Sequence, residues 1–232
     1  MTNGRGAWSH IGKDNGSALY EYIPGAPLDG STPSKSNAYQ AVNLGVKAIQ
    51  KQLNKTATSA TLTVDGHYGP KTAAAVIAFQ NAQLLKADGR AGATTCIALW
   101  HQLIHDTVTA YPAVQARYLY GQMLHESSAD PGACGYYHEA DRGLVQINTE
   151  MEPVSTIQAH DPGFALPYAA QRFSDALTKY AWKGEQLQLQ CAILAHNSPA
   201  GANSLYRTGE YANSTLNNYV NAVLEAAKGW VG

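Results

Sequence analysis

Apolar residues recur along most of this chain at the three-and-four spacing of helix faces that pack on a core. Val76, Phe79 and Leu84 mark one such face, and Cys96, Leu99 and Leu103 the next. Farther on, Pro112 can open a stripe of Val114, Tyr118, Gly121 and Leu124 or His125, and Pro167 another of Ala169, Phe173, Ala176, Leu177 and Tyr180. Leu187, Cys191 and Leu194 follow, then Leu216, Val220, Val223 and Leu224 with Ser214 as candidate N-cap. One segment breaks the pattern. In GLVQIN, Gly143 to Asn148, a period of two puts Val145 and Ile147 on the core side and Leu144, Gln146 and Asn148 on the other. The expected fold is mainly α, with one small extended patch.

Turn signals divide this helical pattern. The phrase DGHYGPKT at Asp65 to Thr72 returns as DGRAGATT at Asp88 to Thr95, 23 residues later. Each copy supplies an Asp-Gly turn, a second Gly where the backbone reverses, and Pro70 or Ala93 to open a helix. Two copies of one signal with the same helix onsets imply a repeated unit, a three-helix module over residues 39–106. Residues 1–38, rich in Gly, Ser, Pro and Asn, read as an arm or linker, with Trp8, Tyr20 and Tyr22 suited to packing. Residues 107–232 form the remaining, α-rich domain.

Charge narrows the partners. Lys and Arg number 16 against 17 Asp and Glu in the 232 residues, a balance that argues against a general nucleic-acid binder. No run of 18 apolar residues exists, so membrane insertion is not expected. Residues 39–106 carry six basic and three acidic side chains, whereas residues 107–232 carry seven and eleven. A mildly basic module suits an anionic polymer. Three cysteines, Cys96, Cys134 and Cys191, are an odd count for which free thiols are the default, with a bond between Cys134 and Cys191 left open. His101 and His105 in HQLIH have the spacing of a zinc pair, but Gln102 stands where a catalytic Glu would be, and neither metal nor cofactor is expected.

The segments VKAIQKQLN, LTVDGHYGPKTAAAVIAFQNAQLL and ADGRAGATTCIALW resemble a peptidoglycan-binding domain of the kind found in cell-wall hydrolases. The resemblance implies bacterial wall as the partner, with Asp65, Tyr68 and Arg90 as candidate wall contacts. Nothing at the N-terminus reads as a leader. A wall enzyme made without one is expected to wait in the host cytoplasm, as phage endolysins do, or to travel on the virion.

In the second half, Glu126 falls in the last turn of the helix that ends LHESS, where the negative helix end and an apolar wall would raise a carboxyl pKa, as a general acid needs. Glu126-Ser127, then Gly143-Leu144-Val145-Gln146, Ala195-His196-Asn197 and Tyr219-Val220 stand in that order. Together they resemble the lysozyme-like domain of soluble lytic transglycosylases and goose-type lysozymes, with His196 in place of Tyr and Val145 in place of Met. That resemblance makes Glu126 the acid and Ser127, Gln146, Asn148, His196, Asn197 and Tyr219 the substrate-binding set. It implies cleavage between N-acetylmuramic acid and N-acetylglucosamine by either of two routes. A transglycosylase uses the substrate's own N-acetyl and 6-hydroxyl groups, whereas an inverting hydrolase would use Asp141 to position water. Asn148 stands where some goose-type relatives have Asp, which favours the first route. The expectation is a monomeric endolysin; a virion-borne lysin, a non-catalytic wall-adhesion protein and a chitinase are the rivals.

Overall fold

The computed structural model describes residues 11–14, 17–20, 36–56, 61–134, 140–182 and 184–232. Trp8 and Tyr22 lie outside them. The described residues are mostly helical and divide into two compact units that interleave along the chain: those within 1–102 and 127–165, and those within 103–126 and 166–232. Among the described residues no helix is long and apolar enough to cross a membrane.

In the first unit, strands β1 (Ile11–Asp14) and β2 (Ser17–Tyr20) form an antiparallel hairpin. Helix α1 (Ser36–Lys55) buries Val42, Val46, Ile49 and Leu53, one face at helical spacing. Pro70 opens α2 (Pro70–Ala82) at a position where its missing N–H costs nothing. Strand β3 (Ala91–Gly92) then pairs with β2, so the segment expected to be an arm adds its hairpin to the module's sheet. Helix α3 (Ala93–Ala110) completes the predicted three-helix set.

The two Asp-Gly turns are built alike, each around a buried glutamine. Gln50 Nε2 donates to Asp65 Oδ1 at 2.9 Å, the His67 carbonyl at 3.1 Å and Thr72 Oγ1 at 3.2 Å, while its Oε1 accepts from the Gly66 N–H at 2.9 Å. Gln80 repeats this on Asp88, Arg90, Thr95 and Gly89, at 3.2, 3.0, 3.0 and 3.0 Å. Gly66 and Gly89 have φ of +81° and +70°, the left-handed backbone that makes glycine necessary there. The sequence pattern showed the turns but not these amides, because Gln50 and Gln80 are 30 residues apart and the turns 23.

Two expected core positions are corrected. Leu84 is 95% exposed, because α2 ends at Ala82 and the chain turns through Leu84 at φ +56°. Trp100 and Ile104 take the deep positions on α3, with Leu103 only half-buried. All three cysteines are free thiols, which removes the open Cys134–Cys191 bond.

Helix α4 (Ala116–Ser127) begins four residues after Pro112 and buries Leu119, Tyr120 and Met123 rather than the predicted Tyr118 and Leu124. Strands β4 (Asp141–Arg142) and β5 (Ile147–Asn148) pair as a hairpin, and the short α5 (Thr156–Ala159) is held by a Ser155–Gln158 capping box. Helix α6 (Pro162–Lys179) starts five residues before the predicted Pro167, which lies inside it. The reason is local: Asp161 Oδ1 accepts the Gly163 N–H at 3.1 Å and Pro162 fixes the first helical φ, a stronger start signal than Pro167 offers.

The second unit is all-helical. Its core joins Phe173, Ala176 and Tyr180 to Cys191 and Leu194 of α7 (Glu185–Asn197). Ala202 and Leu205 of α8 (Pro199–Thr208) join it too, as do Val220 and Val223 of α9 (Ser214–Ala227). Helix α8 was not read from the sequence, although Ser198 caps it, Pro199 opens it and Gly209 closes it at φ +76°. The cap of α9 is Asn213, whose side chain accepts the Leu216 N–H at 3.0 Å, and not Ser214.

Two stability measurements follow. Replacing Gln50 or Gln80 by Leu strands buried backbone groups, so each variant should unfold about 2–3 kcal/mol more easily in urea, and the two should match because the turns do. His160 is 1% exposed, its Nδ1 donating to the Pro131 carbonyl at 2.8 Å, and burial together with the Arg142 charge depresses its pKa against the opposing pull of Pro131 and Asp130. The unfolded chain therefore takes up a proton first as pH falls below the ordinary histidine value of 6.5, and the folded state loses stability there. Tm should decline from pH 7 to pH 5, and less steeply in His160→Gln.

Candidate functional site

Three residues far apart in sequence meet in the second unit. Glu126 lies in the last turn of α4, His196 in the last turn of α7, and Tyr219 sits within α9. The Tyr219 hydroxyl donates to Glu126 Oε1 at 2.6 Å, and His196 Nε2 stands 3.8 Å from the same oxygen. The Glu126 and His196 side chains are 14% and 13% exposed, so the carboxyl is largely out of water yet open on one side.

Close helix contact produces this geometry. At Gly121 a Cβ would lie 2.4 Å from the Val223 carbonyl and 2.9 Å from the Ala227 N, so only glycine lets α4 and α9 touch backbone to backbone. Tyr219 lies two helical turns before Ala227 and is 7% exposed, with the His125 ring edge-on at 4.9 Å. Burial, the neighbouring Glu126 charge and the hydrogen bond to it push the phenol pKa well up, so Tyr219 stays a proton donor. With Oε1 accepting that proton, a protonated Glu126 carries its own on Oε2.

Gln122, one turn before Glu126 on the same face of α4, was not singled out in the sequence although the four-residue spacing could have flagged it. It is 1% exposed and lies beside the Tyr219 hydroxyl, yet neither end of its amide is aligned for a hydrogen bond. Asn197, the last residue of α7, is exposed.

The remaining residues of the predicted set are in the first unit, and several take structural roles. GLVQ is not extended. It is the turn of the β4–β5 hairpin, with Gly143 at φ +72° and Gln146 at +48°, and Leu144 is 1% exposed instead of facing outward. A Cβ at Gly143 would lie 2.0 Å from the Ala159 carbonyl, which forces glycine and the turn with it. Ser127 is wholly buried, and its hydroxyl donates to the Leu144 carbonyl at 2.8 Å, so it clips this turn. Gln146 is half-buried and donates to the Gly143 carbonyl at 2.9 Å. Asn148 spends its oxygen on the N–H groups of Glu150 and Met151, and its nitrogen donates to Asp141 Oδ1 at 2.8 Å. Among the described residues, no three His, Cys, Asp or Glu side chains gather as a metal site would require.

The paired turns around Gln50 and Gln80 complete the candidate surfaces. Residues 43–99 match a peptidoglycan-binding domain. Among curated proteins none matches the chain. Within the peptidoglycan-binding domain, Asp65 is exposed, and its Oδ1 also accepts the His67 N–H at 2.8 Å. Slight burial raises its pKa, but the Gln50 and His67 hydrogen bonds outweigh this and hold it below the usual value, so it stays ionised. Arg90 is half-buried. Tyr68, expected to face the wall, is instead core: it is 1% exposed and its hydroxyl donates to the Gly89 carbonyl at 2.9 Å, tying the first turn to the second.

Ser127→Ala separates the clip from a substrate contact. It should cost about 1–3 kcal/mol of unfolding free energy by leaving the Leu144 carbonyl unmatched, while wall pull-down through the peptidoglycan-binding domain stays at the wild-type level. Unchanged stability would return Ser127 to the substrate set.

Proposed function

We propose that this protein is a peptidoglycan-cleaving glycosidase of the endolysin type, with Glu126 as its general acid and base. The observation that carries this reading is the meeting of Glu126, His196 and Tyr219, the acid, the Ala-His-Asn element and the closing Tyr of the lysozyme-like resemblance, around one nearly buried carboxyl. A wall-binding domain on the same chain supports the substrate. Storage in the host cytoplasm until lysis belongs to the same proposal.

The chemistry follows from the proton on Oε2. Glu126 donates it to the glycosidic oxygen as positive charge develops on the muramic acid ring, and the bond to N-acetylglucosamine breaks. Tyr219 holds the resulting carboxylate by its short hydrogen bond to Oε1. The substrate's N-acetyl oxygen shields the cationic carbon until the 6-hydroxyl attacks it, and Glu126 takes the hydroxyl proton back. A 1,6-anhydro sugar results. The hydrolytic alternative gives Asp141 the task of orienting water; its carboxylate is held by the Asn148 amide.

Muropeptide mass spectrometry of a wall digest tests both levels. The anhydro product is about 18 Da lighter than the hydrolysed one, and is the expected species. Glu126→Gln should lower turnover by about 10²–10⁴-fold with wall pull-down intact. Undiminished clearing by that variant would remove Glu126 from the role, and no clearing zone from the wild-type protein would leave a wall-adhesion protein.

A further inference from the structure

Two cavities in the second unit, of about 250 and 490 Å³, share Lys179 and Tyr180 in their walls and so adjoin. The first is also lined by Gln122, Arg172 and His196, and thus reaches the residue that stands 3.8 Å from the Glu126 carboxyl. The second is also lined by Tyr206 and Arg207. The unit's sequence contains six Lys and Arg and six Asp and Glu, yet the two walls collect Arg172, Lys179 and Arg207 against the single acid Asp175, whose Oδ1 already accepts the Gln171 amide at 2.7 Å. A neutral unit has gathered positive charge beside its candidate acid.

We infer that this basic furrow binds the peptide stem carried by the wall glycan, with Arg172, Lys179 and Arg207 meeting its carboxylates. The inference rests on the glycosidase reading and adds the part of the substrate that the sugar chain alone does not supply. A strand stripped of peptide carries one lactyl carboxylate per disaccharide, whereas in a peptide-bearing strand that carboxyl is an amide and the stem supplies several anionic groups instead. Three cations in two adjoining cavities outnumber the one carboxylate that each disaccharide of a stripped strand presents. Burial depresses the Arg172 pKa, as expected of a guanidinium held partly out of water. The floor agrees with an amide-rich ligand: Gln122 is 1% exposed, lines the first cavity and has both ends of its amide unaligned with any partner.

Calorimetry with two soluble probes, the N-acetylglucosamine–N-acetylmuramic acid disaccharide with and without its pentapeptide, tests this on the full chain. Neither probe contains the bond to be cut, so the result is independent of cleavage. The wild-type protein should bind the peptide-bearing probe about tenfold more tightly, and Arg172→Gln/Lys179→Gln/Arg207→Gln should erase most of that preference. Should the half-buried Arg172 prove necessary for folding, Lys179→Gln/Arg207→Gln, both exposed, carries the test with a smaller loss. Equal affinity for the two probes overturns the inference. So does a preference that survives the substitutions, which would assign the stem to the peptidoglycan-binding domain. Failure of the glycosidase reading would appear separately, as a wall digest without cleaved glycan.

Discussion

A polar group withdrawn from water has to be matched, and this requirement shapes both units more than any single apolar contact does. Gln50 and Gln80 each close a turn whose backbone would otherwise be stranded. Ser127 does the same for the hairpin turn at Leu144, and Tyr219 for the Glu126 carboxyl. Apolar stripes bring the helices together, but they tolerate sliding and rotation. The directional bonds select one arrangement, and the candidate site depends on that selection.

How much of this was legible in the sequence depends on the range of the interaction that decides each feature. Helices α2, α3, α4, α7 and α9 were readable because a stripe of side chains records burial directly. Their ends were less so. Pro167 lost to the Asp161-Pro162 pair, and Leu84 fell outside a helix that stops at Ala82. At a helix end a capping residue outweighs an apolar one, and α8, with few apolar positions, shows itself only through its Ser198, Pro199 and Gly209 signals.

Features fixed by distant partners were harder to see. GLVQ alternates like a strand, but Gly143 is pressed against the Ala159 carbonyl, sixteen residues on, and the segment has to turn. Tyr68 has the composition of a sugar platform and becomes core because Gly89 supplies an acceptor 21 residues away. In the candidate site, Glu126, His196 and Tyr219 each belong to a motif and meet in the fold, whereas Gln122 belongs to no motif and shows itself only through burial. Motifs preserve the groups that would touch a substrate and say little about what surrounds them.

Gly121 has a consequence for how this site could change over time. Because α4 and α9 meet through main-chain atoms, the span between Glu126 and Tyr219 is set by a dimension that side-chain drift cannot alter. The outward faces of both helices can vary widely while the spacing of acid and phenol stays the same. The cavity walls on α6 and α8 are then free to diverge without moving the Glu126 carboxyl.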